Sequence, residues 1–206
     1  MLDTTCRSKG GIILGMAGGF EWDDYPSHTA FTAVPGKTVA EVRSWPLFGA
    51  SWLSIDLDDI DRIIFERAEP FIGNDLVILH QRPGGTLIWE PRAANLALGA
   101  AISRPAREQS MIMGSVVSIE GKGASFSVAD ANGLVSASSN LMDDELFGND
   151  PRRYADKFHE FGVVPGRLTF LPCVKLVEFA TGMEIQPPQN CPEGEELIFG
   201  RLASVP

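Results

Sequence analysis

The sequence predicts an α+β protein that consists mainly of short antiparallel strands, arranged as hairpins and a meander, with about three short helices. The first reason is that short apolar runs recur along the chain with turns of Gly, Pro or Asn between them. The second reason is that helical spacing of apolar residues is confined to a few short segments. We expect a single domain over residues 1–206, with residues 103–107 as the only place where a sub-boundary fits.

The first predicted elements are a strand and a short helix. Residues 29–34 alternate loosely between apolar and polar and end at a Pro-Gly pair, which predicts a strand. Thr38-Val39-Ala40-Glu41 then matches a capping box, in which a hydroxyl and a carboxylate satisfy backbone N–H groups at the start of a helix. The helix is expected to end about Ser44, because Pro46 disfavours helical geometry at the residue before it.

A second strand and helix follow. Residues 50–55 form an apolar run that predicts a buried strand. Behind it, one face of a predicted helix is formed by Ile60, Ile63, Ile64 and Ala68. Acidic residues cluster in its first turn, where the helix dipole favours them, and Pro70 ends it.

The middle of the chain has the clearest hairpin pattern. Residues 76–80 and 86–89 are apolar runs that flank Arg82-Pro83-Gly84-Gly85, a turn of residues that supply fixed or positive φ. A meander is predicted next, with strands at residues 110–119, 124–129 and 134–138. Its second turn contains Asn132-Gly133, which is a strong hairpin signal.

The last third begins with the best-defined helix. Asp150 suits the N-cap, Pro151 the first helical position and Gly162 the position after the last turn. Tyr154, Phe158 and Phe161 lie on one face of it, which predicts core packing, with an anchor for a partner as the alternative. Residues 167–179 and 195–202 are predicted to be strands.

Composition narrows the classes of partner. The chain has 17 Lys and Arg against 27 Asp and Glu, a formal net charge of −10 at pH 7. Binding to the phosphates of nucleic acid needs clustered Lys and Arg, so we expect no nucleic-acid partner. No apolar run approaches the roughly 20 residues of a membrane span, so we expect no membrane either. The expected location is the cytoplasm or the inside of an assembled particle.

The cysteines indicate a reducing compartment. Cys6, Cys173 and Cys191 are odd in number and widely spaced, which is typical of free thiols in an intracellular protein. The alternative is a disulfide between Cys173 and Cys191 across a C-terminal loop.

No cofactor or metal is predicted from local motifs. His28, His80 and His159 have neither the spacing of metal ligands to one another nor a neighbouring Cys. Gly36-Lys37-Thr38 is not a phosphate-binding loop, because the glycine that such a loop needs five residues earlier is Phe31 here.

One motif indicates catalysis. Asp56-Leu57-Asp58 directly follows an apolar run, and two alternate aspartates after a strand resemble the first motif of haloacid-dehalogenase-type phosphotransferases. The resemblance implies a small Mg²⁺-dependent phosphohydrolase, in which one carboxylate attacks phosphorus and the other moves the proton. The chain departs from the family at Ile60, where Thr or Val is usual, and by the long segment before a motif that normally opens a parallel-sheet fold. Asp143-Asp144 would be its distal acidic pair. The alternative is an acidic first turn of the next helix.

The local mixture most typical of a binding segment is Trp22, Asp23, Asp24 and Tyr25, beside Glu21, which suits a basic protein partner. The alternative is an ordinary solvated loop. With no strong catalytic motif, the favoured hypothesis is a non-enzymatic interaction or structural protein. It would be a component of a larger assembly, such as a virion or secretion particle, or an acidic neutralising partner of the immunity type. The phosphohydrolase that uses Asp56 and Asp58 is the alternative.

Overall fold

The structure is a computed structural model that describes residues 28–56, 59–60, 62–63, 75–91, 100–119, 123–138, 147–162, 170–186 and 196–203. Its centre is a nine-stranded antiparallel sheet with short helices on both faces. The predicted α+β class, with short antiparallel strands and a few short helices, is therefore confirmed. Among the described residues, no helix is long and apolar enough to cross a membrane.

The strands are short and numbered in chain order: β1 His28–Pro35, β2 Leu53–Ser54, β3 Leu76–Arg82, β4 Gly85–Glu90, β5 Met113–Ile119, β6 Gly123–Asp130, β7 Gly133–Ser138, β8 Phe147–Gly148 and β9 Leu197–Arg201. The described helices are α1 Val39–Val42, α2 Ala100–Glu108, α3 Ala155–Glu160 and α4 Phe170–Thr181. A turn of 3-10 helix, Pro151–Tyr154, directly precedes α3.

The strand order in the sheet is β2-β9-β3-β4-β1-β5-β6-β7-β8. The β3–β4 hairpin and the β5–β8 meander are each built from strands that follow one another along the chain. Strand β1 lies between them, pairing with β4 on one side and with β5 on the other. The first described strand is therefore the one that joins the two halves of the sheet.

Both faces of the sheet are buried. On one face, α3 and α4 pack over a core that includes Phe31 and Trp89, whose rings stack with centroids 6.0 Å apart. On the other face, α1 and α2 cover a second core that includes Val34, Ile88 and Ile102. Strands covered on both faces need apolar side chains at nearly every position, which explains the continuous apolar runs in β3 and β4.

Several local predictions are confirmed. The β3–β4 hairpin turns through Pro83-Gly84. Gly84 has a φ of +90°, a backbone conformation that residues with a Cβ atom rarely adopt. At the start of α1, Thr38 Oγ1 accepts the Glu41 N–H at 3.3 Å, and Glu41 Oε2 accepts the Thr38 N–H at 2.8 Å. This is the predicted capping box.

The prediction of a strand at residues 167–179 was wrong. The segment that the structure describes forms helix α4, Phe170–Thr181, whose buried residues Cys173, Val174, Leu176 and Val177 have the spacing of one helical face. A short apolar run does not distinguish a buried strand from a buried helix, and here the run packs across β5 and β6 as a helix. The neighbouring prediction of a strand at residues 195–202 is confirmed by β9.

The apolar run at residues 50–55 contains only the two-residue strand β2, and both of its side chains are exposed rather than buried. The chain around it runs along the outer edge of β9. The N–H of Gly49 donates to the carbonyl of Arg201 at 2.8 Å, and that of Ile55 donates to the carbonyl of Leu197 at 3.2 Å. This segment therefore covers the backbone of β9 instead of adding a full strand.

Three other predicted segments differ from the structure in detail or lie partly outside the described residues. Residues 103–107 lie inside α2, and strands from both sides of them form one sheet. The helix predicted after Asp150 begins as the 3-10 turn, without a hydrogen bond from the Asp150 side chain, and Gly162 follows it with a φ of +77°. Ile60 and Ile63 are helical and fully buried, while Ile64 and Ala68 lie outside the described residues.

Candidate functional site

Asp56 lies at the start of a helical turn, where it caps backbone groups. Its Oδ1 accepts the N–H of Asp59 at 3.0 Å, and its own N–H donates to Asp59 Oδ2 at 3.4 Å. Its carbonyl accepts the N–H of Ile60 at 3.2 Å. Asp59 in turn pairs with Arg62 at 3.1 Å. The two carboxylates therefore exchange hydrogen bonds as a capping box does.

The surroundings of Asp56 differ from those that the phosphotransferase resemblance implies. The strand before it, β2, lies at the edge of a sheet whose described strands are all antiparallel. Asp58 and the Asp143-Asp144 pair lie outside the described residues. Within the described ranges, no group of three or more His, Cys, Asp or Glu residues could hold a metal ion. The described partner of the Asp56 side chain is the capping residue Asp59, which is itself paired with Arg62.

The histidines occupy separate positions. His80 is fully buried in β3, between its cross-strand neighbours Leu87 and Leu197. His159 is exposed in the last turn of α3, and His28 is the first residue of β1. The described structure therefore gives them no shared site.

Cys173 is a free thiol, buried in α4 against the core. Burial raises the pKa of this thiol to about 12, so the reactive thiolate is scarce at neutral pH. Cys191, its suggested disulfide partner, lies outside the described residues. Cys173 therefore has the character of a packing residue.

Trp22, Asp23, Asp24 and Tyr25, the predicted binding residues, also lie outside the described ranges. The described residues carry 11 Lys and Arg and 13 Asp and Glu, so 14 of the 27 acids are elsewhere in the chain. The acidity of the protein is thus concentrated outside the described part of the fold, whose own charges nearly balance.

The aromatic residues of α3 lead to an apolar surface. Tyr154 and Phe158 are buried, as expected for core packing, and Phe161 is partly buried. The Phe161 ring meets the ring of Phe179 on α4 at a centroid distance of 6.2 Å. Phe179 is 51% exposed, and Lys157 places its ammonium 4.9 Å from the centre of that ring. An aromatic side chain is therefore held in place while half of it faces solvent.

Phe179 belongs to a stripe along the outer side of α4. Leu171, Lys175 and Phe179 follow one another at intervals of four residues, and all three are exposed. Leu171 and Phe179 are two of the three large apolar side chains that are most exposed in the described structure, the third being Leu53 on β2. We call Leu171, Lys175 and Phe179 the α4 stripe. Sequence reasoning missed it because the segment was predicted to be a strand.

A groove opens on the opposite side of the sheet, between the turn after α1 and helix α2. It encloses about 260 Å³ and is lined by Trp45, Pro46, Leu47, Arg104, Pro105 and Glu108. We call it the α2 groove. Its two walls come from segments nearly sixty residues apart, so no local spacing in the sequence marks it.

Comparison with known proteins adds no relative. No family model matches the chain, and neither the curated proteins nor the solved structures contain a match to it.

Proposed function

We propose that the protein is a non-enzymatic interaction protein that serves as a structural component of a larger assembly, such as a virion or secretion particle. The α4 stripe carries the proposal, because it holds Leu171 and Phe179 about half exposed on a single helix. Exposed apolar side chains are favourable to cover, and aromatic side chains contribute strongly to protein interfaces. In this proposal the partner is a protein, and the site of action is the cytoplasm or the assembled particle.

The inner side of α4 anchors the helix in the core and leaves the stripe on its outer side exposed. The inner side packs Cys173, Val174, Leu176 and Val177 into the core, and this fixes the helix on the sheet. The outer side of such a helix is ordinarily polar. Apolar residues at two of the three stripe positions depart from that pattern. Because the helix is anchored by its inner side, the outer apolar groups are presented rigidly, which lowers the entropic cost of docking.

Charge indicates the chemistry of the partner surface. Lys175 lies between Leu171 and Phe179 along the helix, and Lys157 sits over the Phe179 ring. Lys157 also pairs with Glu160 at 2.5 Å, so the cation that the stripe itself contributes is Lys175. A lysine between apolar groups suits a surface with apolar and acidic groups. A symmetric pairing of two α4 stripes would bring Lys175 close to its own copy, which is unfavourable. The stripe thus favours an acidic surface on a different protein over a second copy of itself. It also favours that surface over the basic partner that an immunity-type protein would bind.

Native mass tests the proposal. The protein is isolated from extract of its own cells under native conditions, and its mass is compared with the 22.3 kDa of the single chain. We expect a larger complex, lost in a Leu171→Ser/Phe179→Ser variant because the apolar contact is removed. Leu53→Ser is the matched control, since Leu53 is equally exposed but lies on β2. A 22.3 kDa species without any co-purifying protein would overturn the proposal, as would a complex that persists in the double variant.

A further inference from the structure

The walls of the α2 groove are held in place by the fold. On one wall, the N–H of Trp45 donates to the carbonyl of Val42 at 3.0 Å, and the N–H of Phe48 donates to the carbonyl of Trp45 at 3.1 Å. On the other wall, Ile102 and Ala106 bury the inner side of α2 in the second core. A ligand therefore meets a preformed surface, which lowers the entropic cost of docking.

The floor of the groove is apolar and open to solvent. Pro46 is exposed, and Leu47 and Pro105 are partly buried. The groove encloses about 260 Å³, which is less than the roughly 300–1,000 Å³ of small-molecule sites and suits one or two side chains of a peptide. Such a floor accepts an aromatic or aliphatic side chain as an anchor.

A second, shallower depression continues the groove along α2. It is lined by Arg104, Arg107 and Glu108, and it shares Arg104 and Glu108 with the groove. Arg104 pairs with Glu108 at 2.7 Å, but the two side chains are 79% and 60% exposed. An ion pair this exposed is weak, so Arg104 can exchange Glu108 for a carboxylate of a ligand at little cost.

Arg107 is the second cation of this depression. Its Nε donates to the carbonyl of Ser103 at 3.3 Å, and no carboxylate in the described part of the chain pairs with it. The depression thus has two guanidinium groups for one carboxylate, and it directly adjoins an apolar floor. Guanidinium groups bind carboxylates through two parallel N–H bonds, so the surface is complementary to an acidic ligand with an apolar anchor.

We propose that the α2 groove binds an acidic peptide segment of another protein. An aromatic or aliphatic side chain of that segment lies on the apolar floor, and neighbouring carboxylates lie at Arg104 and Arg107. A strand of nucleic acid suits the groove less well. Its phosphates need more cations than these two, and its bases need an open aromatic face, whereas Trp45 is only 9% exposed.

The groove is a docking surface separate from the α4 stripe. Helix α4 packs on the core that contains Phe31, whereas α2 packs on the core that contains Ile88, and these two cores lie on opposite faces of the sheet. One chain can therefore hold two different proteins at once, one on each face. The inference goes beyond the proposed function and does not depend on the stripe.

Fluorescence anisotropy tests the groove with a defined probe. The probe is a fluorescein-labelled peptide in which one phenylalanine is flanked on both sides by aspartates, and it is titrated with the full chain. We expect saturable binding that is about tenfold or more weaker in Arg104→Glu/Arg107→Glu, because like charges then face each other. A probe with serine in place of the phenylalanine should also bind about tenfold or more weakly, because the anchor is lost.

Arg152→Glu/Lys175→Glu is the matched control, with the same change of charge at exposed side chains outside the groove. We expect this variant to bind the probe as the wild type does. Circular dichroism of both variants shows that the fold is intact, as expected for substitutions on the surface. Lys175 belongs to the α4 stripe, so the control also reports whether the probe binds there instead.

Several results would overturn the inference. They are a wild-type chain that does not bind the probe, an Arg104→Glu/Arg107→Glu variant that binds it unchanged, and loss of binding in the control variant alone. Displacement of the probe by a lower concentration of single-stranded RNA would make nucleic acid the ligand. Sedimentation that shows self-association through the two arginines would make a second copy the occupant.

The inference and the proposed function fail separately. The groove variant leaves Leu171 and Phe179 unchanged, so it does not disturb the contact proposed for the α4 stripe. A native complex that depends on the stripe, together with a chain that does not bind the probe, would refute only the groove.

Discussion

Replacement of Asp56 distinguishes a structural from a catalytic carboxylate. Asp56→Ala removes the acceptor that holds the N–H of Asp59 at 3.0 Å. Loss of an N-cap acceptor costs about 0.5–2 kcal/mol, so we expect the free energy of unfolding to fall by about 1 kcal/mol. Asp56→Asn keeps an oxygen acceptor at the same position, and Asn is as good an N-cap as Asp. Its cost is therefore expected to be about half a kcal/mol or less.

Urea denaturation followed by tryptophan fluorescence measures both variants. A change of 1 kcal/mol corresponds to a melting temperature lower by roughly 2–4 °C in a chain of this size. Asp150→Ala is the matched control. Asp150 also precedes a helical turn, but its side chain makes no capping hydrogen bond, so its replacement should change stability by less than about half a kcal/mol.

The refuting results are specific. An Asp56→Ala variant as stable as the wild type, or an Asn variant as unstable as the Ala variant, would contradict the capping role. A phosphohydrolase with Asp56 as nucleophile would behave differently, because Asn is no nucleophile. Turnover of a phosphoester panel that requires Mg²⁺ and disappears in Asp56→Asn would assign the carboxylate to catalysis and refute the non-enzymatic proposal.

Three further predictions concern packing and titration. Gly114→Ala should lower the free energy of unfolding by about 1–3 kcal/mol, measured in urea, because a Cβ there would lie 2.6 Å from Val177 Cγ1. Cys173 should resist iodoacetamide in the native protein and react after unfolding, as mass spectrometry can show, because burial raises the pKa of its thiol to about 12. Burial also raises the pKa of Glu178 above its ordinary 4.5, so its contribution to stability is present below pH 4.5 and is lost as pH rises through the folded-state pKa. Glu178→Gln should remove that slope from unfolding free energies measured between about pH 4 and about pH 8. An unchanged Gly114→Ala variant, rapid native alkylation, or identical pH profiles would each contradict the corresponding argument.

Elements with a local chemical signature were predictable. The Pro83-Gly84 turn and the Thr38–Glu41 capping box depend on residues within four positions of one another, and both form as expected. The predicted turn before β7 is also confirmed. Its central residues are Ala131 and Asn132, Asp130 pairs with Gly133 across it, and Asp130 Oδ1 accepts the Asn132 N–H at 2.7 Å. The side chain of Asp130 thus sets this turn together with Gly133.

Other features depend on contacts that no short window contains. The apolar run of α4 packs on strands β5 and β6 through side chains such as Val177, and these strands are distant from α4 in the sequence. The place of β1 between β4 and β5 is likewise a long-range property. The α4 stripe can be predicted only after residues 170–181 are recognised as a helix. The α2 groove can be predicted only when the fold shows that Trp45 and Pro105 lie close together. Local composition predicted a binding segment at Trp22, Asp23, Asp24 and Tyr25, and these residues lie outside the described structure.

The central place of β1 has a consequence for the order of folding during synthesis. This strand leaves the ribosome before either of its neighbours, and its second partner, β5, is complete only at Ile119. Strand β4 is complete at Glu90, so from then until Ile119 one edge of β1 has backbone groups without their final partners, and the two halves of the sheet are not yet joined. Folding must therefore wait for most of the chain, and sheets closed by such distant pairings form slowly. Deletion of β1 would therefore divide the sheet into two parts rather than shorten it at one edge.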